Sequence, residues 1–337
     1  MPERSTVNQG VQVGDETTYG TSVTADTRLS ALSIMATPSM DFQQFRPAGN
    51  KFNTIAALNR EFTEADLEGA LTYTESIYPF SSLFGAAAIT TPATGVLSRQ
   101  HEYVVSSTAA DAPVSFTVQR GDGTLKETFA GFVVNELALD FSRDGIEMSG
   151  SGFGKAIAHA AGAMDTITTT PTLLPVLATQ VSVYADAYPA SPTEANITSA
   201  FGVSKLTRVQ SANVTFGNRY SQVWALDAAQ AGNVAVVEVP VEFGLELVMQ
   251  ADATGMGYLA TARAGTPILL RVQGIGSIIE GAITYRVTID VLGRIVGGGN
   301  IDDSDGTQTV TWEFDMMHDS TWSRAMRVQV VNQATAL

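Results

Sequence analysis

Carboxylates are the side chains in this sequence whose number and spacing could do chemistry. The chain carries 34 acidic and 19 basic residues among 337, which gives a formal net charge of −15. Two acids that flank a sugar bond can act as general acid and base in glycoside hydrolysis, and Glu242 and Glu246 are a candidate pair. They are spaced as regular surface neighbours on one strand, so a sugar hydrolase is not favoured.

Two short motifs resemble ligand-binding loops but lack required residues. The run GSGFGK at 150–155 has the wrong glycine spacing for a phosphate-binding loop, and Ala156 follows the lysine where Ser or Thr is needed. In IDDSDG at 301–306, the calcium-loop register places Trp312 at the twelfth position, where a bidentate Glu is required. We interpret the first run as a strand end and the second as a hairpin loop, supported by the turn-forming glycines 297–299.

The histidines form no recognisable catalytic or metal-binding motif. His101, His159 and His318 are widely separated, and adjacent residues such as Asp319 and Ser320 cannot line up with His318 as a catalytic triad. The sequence contains no cysteine, no GxSxG and no HExxH. We therefore predict that the protein is not an enzyme, with no catalytic residues, no metal ligands and no cofactor.

The acids lie in segments that have the two-residue period of half-buried strands. These segments are 60–76, 135–148, 236–249, 283–291 and 310–316. In each, apolar residues occupy one face and acids or hydroxyl residues the other. The candidate residues of the predicted acidic faces are Glu64, Asp66, Glu68, Glu136, Asp140, Glu147, Glu238, Glu242, Glu246, Asp290, Glu313 and Asp315.

Carboxylates repeated along neighbouring strands repel one another, so such a face has an electrostatic cost. The cost favours a functional explanation: a metal-rich surface, an acidic docking site for a basic partner, or a channel wall along which a polyanion passes without sticking. The net charge of −15 argues against a protein that grips nucleic acid by neutralising phosphates. Solubility alone is the simplest alternative, because acidic proteins are common.

The second half of the sequence repeats the strand pattern of the first. The matching fragments are VQV at 11–13 with VSV at 181–183, SMDFQQF at 39–45 with NVTFGNRY at 213–220, and APVSFTVQ at 112–119 with TPILLRVQ at 266–273. Their order is the same in both halves, and their offsets drift as expected when surface loops change length around a kept core. We therefore predict two copies of one β-rich domain.

The segments between the strands suggest the domain boundaries. We expect an N-terminal arm and loop at 1–30, a first domain at 31–165, a Thr/Pro linker at 166–178 and a second domain at 179–337. Helices are predicted at 77–88, 155–164 and 223–232.

Composition places the chain among folded proteins of a reducing compartment. Hydrophobic residues make up 45% and charged residues 16%, and the lack of cysteine fits a cytoplasmic origin. The N-terminal MPERSTVNQG has no apolar stretch, so we expect no signal peptide. No apolar run approaches the ~18–20 residues of a spanning helix, so no membrane span is expected.

Several segments resemble the tail tube proteins of long-tailed, non-contractile bacteriophages, the siphophages. They are ETTYGTSVTADTRL, LEGALTYTESIYPFSSLFG, FVVNELALDFSRDGIEMSGSGFGK, KLTRVQSANVTFGNRYSQVWALD and the closing RAMRVQVVNQ. The resemblance covers nearly the whole chain in the expected order. This family is recognised by its strand pattern more than by invariant residues, so the weight comes from the series of matches together with the internal repeat.

The resemblance implies a mainly β fold of two tandem tail-tube-like β-sandwich or barrel domains with short helices. In this family the larger sheets of neighbouring subunits join into a ring, and stacked rings form a tube around a β-barrel lumen. The acidic lumen lets double-stranded DNA pass without specific binding. The implied partners are further copies of the chain, a tape-measure protein, and tail terminator and tip proteins. The implied location is the virion tail, after synthesis and assembly in the host cytoplasm.

The internal repeat predicts the number of subunits in a ring. Common tube proteins carry one such domain and form hexameric rings, so a chain with two copies is expected to close the ring as a trimer. The alternative is a hexamer in which one half of each chain is an external decoration domain. Arms and loops are expected to make the inter-ring contacts. The candidates are Glu16, Tyr19, Arg28, Arg46, Asn50 and Asn332.

One alternative belongs to a different functional class. An acidic, β-rich binding module, such as a capsid decoration or adhesin-type protein, would also account for the strands. It would not account for a carboxylate face in both halves of the chain.

Overall fold

Antiparallel strands make up most of the molecule. The computed structural model describes residues 9–92, 94–227, 231–304 and 306–336. Strands account for 54% and helices for 9% of the structure, which confirms the mainly β prediction. Outside one small two-stranded sheet, the named strands belong to one continuous network of antiparallel pairs.

The first half of the chain supplies strands β1 to β10 and helix α1. The strands are β1 (Gly10–Asp15), β2 (Thr27–Leu29), β3 (Leu32–Phe45), β4 (Ile55–Ala70), β5 (Ala88–Thr90), β6 (Arg99–Tyr103), β7 (Phe116–Gly121), β8 (Leu125–Phe141), β9 (Ile146–Gly154) and β10 (Ala158–Ala161). Helix α1 (Ile77–Phe84) follows β4 and buries most of its side chains, as predicted for this segment.

The second half supplies strands β11 to β19 and helices α2 and α3. The strands are β11 (Val181–Ala187), β12 (Val209–Gly217), β13 (Tyr220–Val223), β14 (Ala235–Glu238), β15 (Glu242–Gln250), β16 (Ile268–Glu280), β17 (Ile283–Ser304), β18 (Thr307–Met316) and β19 (Met326–Asn332). The helices are α2 (Glu194–Ala200) and α3 (Ala253–Ala264).

Local capping residues determine where α3 begins and ends. The Asp252 side chain accepts hydrogen bonds from the backbone N–H groups of Thr254 and Gly255, which have no partner inside the helix. Gly265 ends the helix in the left-handed region at a φ of 62°. The sequence analysis did not predict this helix, although an Asp before and a Gly after a run of helix-forming residues is a recognised signal.

Eight strands form one continuous layer, which we call the long sheet. Its order is β3-β4-β9-β8-β12-β15-β18-β17, and every neighbouring pair is antiparallel. The pairing of β8 with β12 joins the four strands of the first half to the four strands of the second. The long sheet therefore runs across both halves without a break.

A second layer covers one face of the long sheet. In the first half it contains β1 between β2 and β7, followed by the beginning of β8 and by β10. In the second half it contains β11, β16, the beginning of β17, β19, β6 and β5. The long strands β8 and β17 each belong to both layers.

The two halves connect equivalent strands in the same way. In the second layer, Val13 lies opposite Val118, which lies opposite Phe129. The same chain of pairs runs from Val183 through Val272 to Ile289. In the long sheet, β3-β4-β9-β8 of the first half corresponds to β12-β15-β18-β17 of the second, and α1 and α3 follow the corresponding strands β4 and β15.

One hydrophobic core fills the space between the two layers and extends through both halves. Leu67, Leu139 and Met148 contribute to it from the first half, and Leu247 and Trp312 from the second. The halves also share backbone hydrogen bonds between β6 and β19. Because the two halves share one core, the structure does not test the predicted division into two domains, which stays a prediction.

Some predicted elements are wrong. The segment 155–164 is not a helix, because its central residues form β10 against the beginning of β8. The segment 223–232 is not helical where it is described, and residues 228–230 lie outside the described residues. Helix propensity alone was the evidence for both, and tertiary pairing overrides it.

The N-terminal prediction is also wrong in part. Residues 10–15 and 27–29 are paired strands rather than arm and loop, and Val11 and Val13 are core residues. Residues 1–8 lie outside the described residues. The glycines 297–299 lie within β17 rather than in the hairpin turn, and Gly298 and Gly299 adopt φ values of 97° and 87° where the pairing with β18 shifts register.

Candidate functional site

The uncovered face of the long sheet is acidic in both halves, and we call it the acidic face. Its acids alternate with the core residues of the same strands and are exposed. They are Glu64, Asp66 and Glu68 on β4, Glu136 and Asp140 on β8, Glu147 on β9, Glu242 and Glu246 on β15, and Glu313 and Asp315 on β18. The alternation predicted for these residues is therefore confirmed.

Strand register brings these acids into rows that cross the junction between the halves. Asp140 lies opposite Glu147 on one side and opposite Asn213 on the other. Asn213 in turn lies opposite Glu246, and Glu246 lies opposite Glu313. Directly opposed like charges destabilise a sheet, so the acidic face opposes the folding of the subunit that carries it.

The acidic face is hollow near the junction between the halves. A groove of about 780 Å³ lies there, with walls formed by residues of β4, β8, β9, β12, β15 and β18. Its acids are Asp66, Glu68, Glu136, Glu242 and Asp315. Arg294 on β17, the edge strand of the long sheet, lies opposite Asp315. The groove is thus a wide acidic depression and not an enclosed pocket.

Glu238 does not belong to the acidic face. The predicted single strand at 236–249 is divided, with Pro240 between β14 and β15. Glu238 lies in β14, whose only strand partner within the described ranges is β13, and it accepts a 2.7 Å hydrogen bond from the fully buried Arg219. Arg219 also donates to Asp111 at 2.9 Å. Glu238 is therefore a structural ion-pair partner.

Asp290 is the second acid that the sequence analysis misplaced. It is fully buried and accepts hydrogen bonds from the guanidinium groups of Arg271 and Arg327. Its side of β17 faces away from the main core, but there a smaller cluster that includes Ile197 and Trp322 covers the second layer. A two-residue period cannot distinguish a solvent-exposed face from one covered by a helix and loop.

Three of the predicted inter-ring residues make hydrogen bonds within their own chain. Glu16 accepts hydrogen bonds from the backbone N–H of Gly20 and Gly131 and from two hydroxyl groups. The Tyr19 hydroxyl bonds to Asn233, and burial raises the pKa of Tyr19 to about 12. Asn332 is fully buried, so its assignment as a surface contact is wrong.

The remaining predicted contact residues, Arg28, Arg46 and Asn50, are exposed. Arg46 and Asn50 lie at the tip of the hairpin formed by β3 and β4. Among the described strands, residues 55–62 of β4 pair only with β3, so the outer part of this hairpin extends past β9. Its tip region exposes apolar side chains that sequence reasoning missed. They include Met40, Phe42, Phe45, Phe52, Ile55 and Leu58.

Searches for metal sites and membrane spans gave negative results over the residues that the structure covers. No cluster of three or more His, Asp or Glu side chains there could hold a metal ion. None of the helices in that part of the chain is long and apolar enough to cross a membrane.

No protein-family profile matches the chain, and no curated protein matches its sequence significantly.

We expect removal of one of the opposed charges to stabilise the subunit. Glu246→Gln relieves the repulsion from Glu313 and should raise the free energy of unfolding by about 0.2–1 kcal/mol at low salt. Glu64→Gln is the matched control, because Glu64 lies opposite Thr37 and Phe153 and should change stability little. Urea unfolding at low and high salt measures both. Equal effects of the two variants would contradict the repulsion.

Because Glu238 is an ion-pair partner, we expect its removal to lower the free energy of unfolding. Glu238→Ala leaves the buried Arg219 guanidinium with one carboxylate fewer, and breaking such a buried ion pair costs about 3–5 kcal/mol. Glu242→Ala, on the acidic face, should cost less than about 1 kcal/mol. Denaturant midpoints compare the two variants, and similar losses would place Glu238 and Glu242 in similar environments.

Proposed function

We propose that this protein is the subunit of a siphophage-like tail tube. Copies close into rings through the edges of their long sheets, rings stack into a tube, and the acidic faces line the conduit through which the genome is ejected. The observation that carries this proposal is the pairing of β8 with β12 inside one chain, because the equivalent strand edges at the two ends of the long sheet have no strand partner among the described residues.

The two free edges have the chemistry needed to pair with each other. Within the described residues, β3 pairs only with β4, and the segment 294–304 of β17 pairs only with β18. Unpaired strand edges favour association with another chain, and a closed ring removes them. Since β3 corresponds to β12 and β17 to β8, β17 of one copy and β3 of the next can repeat the β8–β12 junction.

Pro38 limits the part of β3 that can take part. Proline has no backbone N–H and tolerates only edge or terminal positions in a sheet. The stretch from Leu32 to Thr37 is therefore the part of β3 that can form a regular ladder with a second copy. Its short length agrees with the β8–β12 junction, which spans Leu137 to Phe141 on β8.

Each chain contributes two four-stranded units, so a ring of three chains has the same number of units as a ring of six single-domain subunits. This supports the trimeric ring over the hexamer with external decoration domains, because both units lie in one sheet with one acidic face. The acidic lining would keep DNA from binding the wall, since DNA affinity depends on neutralising phosphates with basic side chains. The proposed partners are other copies of the chain and the tape-measure, terminator and tip proteins, in the virion tail.

Engineered disulfides test the ring, since the chain has no native cysteine. Asp140 and Asn213 are direct neighbours at the β8–β12 junction. Their counterparts are Asn300, which precedes Ile301 on β17, and Ser33, which lies opposite Glu68 on β4 as Asn213 lies opposite Glu246. We expect Ser33→Cys/Asn300→Cys to cross-link neighbouring chains on oxidation.

A second engineered pair, Met35→Cys/Val296→Cys, allows for a two-residue shift in register. The ladder of cross-linked species should end at three chains, as seen by non-reducing gel electrophoresis and native mass spectrometry. The matched control Asp140→Cys/Asn213→Cys should form its disulfide within one chain. End-on electron microscopy should show hollow rings or tubes. Six-chain rings would exclude the trimer, and compact monomers without interchain cross-links would favour an acidic binding module.

Charge reversal tests the conduit. Tubes of the Glu246→Lys variant should retain double-stranded DNA at low salt and release it as salt rises, whereas wild-type tubes should not bind DNA. The control Glu194→Lys changes an exposed acid of α2, outside the acidic face, and its tubes should not retain DNA. Equal retention by the two variants, measured by co-sedimentation, would place Glu246 outside the lumen.

A further inference from the structure

In the first half, a carboxylate occupies a polar site on the outer face of the second layer. Asp165 accepts a 2.8 Å hydrogen bond from the Lys126 ammonium group and a 2.6 Å hydrogen bond from the Gln119 amide. The backbone N–H of Ala25 also donates to it, and the Gln12 amide donates to its backbone carbonyl. The bond from Lys126 is the main reason that the pKa of Asp165 is lowered.

The second half contains the same site by strand register. Gln119 lies opposite Thr128 on β8, two residues beyond Lys126. Gln273 lies opposite Thr288 on β17, two residues beyond Arg286. Since Val118 corresponds to Val272, the Lys–Gln–Thr set of the first half corresponds residue by residue to an Arg–Gln–Thr set in the second.

The carboxylate is missing from the second site. Among the described residues, no group accepts a hydrogen bond from Arg286, and its Nε atom is buried without a partner. The Gln273 amide instead donates to the Thr288 hydroxyl at 3.1 Å. In the first half, where Gln119 is bound to Asp165, the buried Thr128 hydroxyl has no such donor. In the second site the Gln273 amide therefore binds its own strand partner, as expected when a carboxylate acceptor is absent.

The surroundings of Arg286 also favour an additional negative charge. Arg271 and Arg327 both bind the single carboxylate of Asp290. Burial, followed by the positive charge of Arg271, lowers the pKa of Arg286. A partly buried guanidinium of this kind is stabilised by a bidentate carboxylate partner.

None of the residues that the structure describes after β19 supplies such a partner. In the first half, the segment after β10 carries Asp165 across the outer face. In the second half, the Asn332 side chain instead donates to the Tyr73 carbonyl, and the Ala334 carbonyl contacts the His101 ring in the interior. The described residues after β19, Gln333 to Ala336, include no Asp or Glu.

We propose that Arg286 and Gln273 form an inter-subunit site that binds an Asp or Glu side chain of a second copy of this chain. A second copy is the occupant because Lys126 and Gln119 take a protein carboxylate in the equivalent site, and because the surface of each copy carries a large excess of acids. The proposal rests on the assembly described under the proposed function and identifies one contact between its subunits.

Zero-length cross-linking tests the site. In the Arg286→Lys variant, a water-soluble carbodiimide activates a neighbouring carboxylate, the introduced amine displaces the activating group as a urea, and an amide bond forms. An equimolar mixture of isotopically heavy and light chains distinguishes interchain from intrachain products by mass spectrometry. The pair Lys126–Asp165 is an internal positive control, since its atoms lie 2.8 Å apart in the same chain.

We expect a mixed heavy–light peptide that joins position 286 to an Asp or Glu in assembled protein only. Coupling to Asp290 or Glu102 of the same chain would overturn the proposal, as would assembled particles in which Lys126 couples and position 286 does not. Those results would leave the tube proposal intact, whereas protein that remains monomeric at every concentration would contradict both.

A second variant measures how much the contact contributes. Arg286→Gln should raise the protein concentration needed for assembly by about tenfold, which corresponds to about 1.4 kcal/mol per contact. Arg286→Lys should recover part of the loss, because it restores the charge but not the bidentate geometry. Arg143→Gln, in the exposed turn between β8 and β9, is the control and should assemble normally. An unchanged assembly concentration for Arg286→Gln would overturn the proposed contact.

Discussion

The backbone pairing of β8 with β12 is the contact on which the architecture depends. It joins two four-stranded units edge to edge, places their apolar faces on one core and places their acids on one surface. Strand edges are normally protected against further pairing, yet here one edge of each unit is used inside the chain. The other two edges, on β3 and β17, are left in the same condition as β12 and β8 before they pair.

Acidic and basic side chains are separated in this molecule. Several basic side chains are held away from the acidic face. Arg219 is buried beside Glu238, and the buried Arg327 and the half-buried Arg271 bind Asp290. Acids such as Asp140 and Glu246 consequently have few cations beside them. A solvated surface needs no such separation, because mixed charges serve solubility equally well. The separation of charge across the molecule is a feature that solubility alone does not explain.

Periodicity predicted the strands of the long sheet well, because one side of each strand faces the core and the other is exposed to solvent. The alternation of Leu67 with Asp66 and Glu68 is of this kind, and it placed those acids correctly. It failed for Asp290, where both sides of β17 are covered, and for Glu238, where Pro240 divides an apparently continuous pattern. Helix propensity failed at 155–164, where residues with no strong strand preference pair with β8. Burial behind a second element and the partner of an edge strand are long-range facts that local pattern does not contain.

Equivalent positions in the two halves are informative where they differ as well as where they agree. Gln119 and Gln273 occupy equivalent positions, yet one binds Asp165 and the other turns to Thr288. Arg286 is costly in the isolated chain, since its buried Nε–H group has no acceptor among the described residues. Its position next to two arginines already bound to Asp290 is consistent with a partner that arrives only on assembly. The same reasoning applies to the free edges of β3 and β17: each is a local liability in the isolated chain, and contact with another copy removes it.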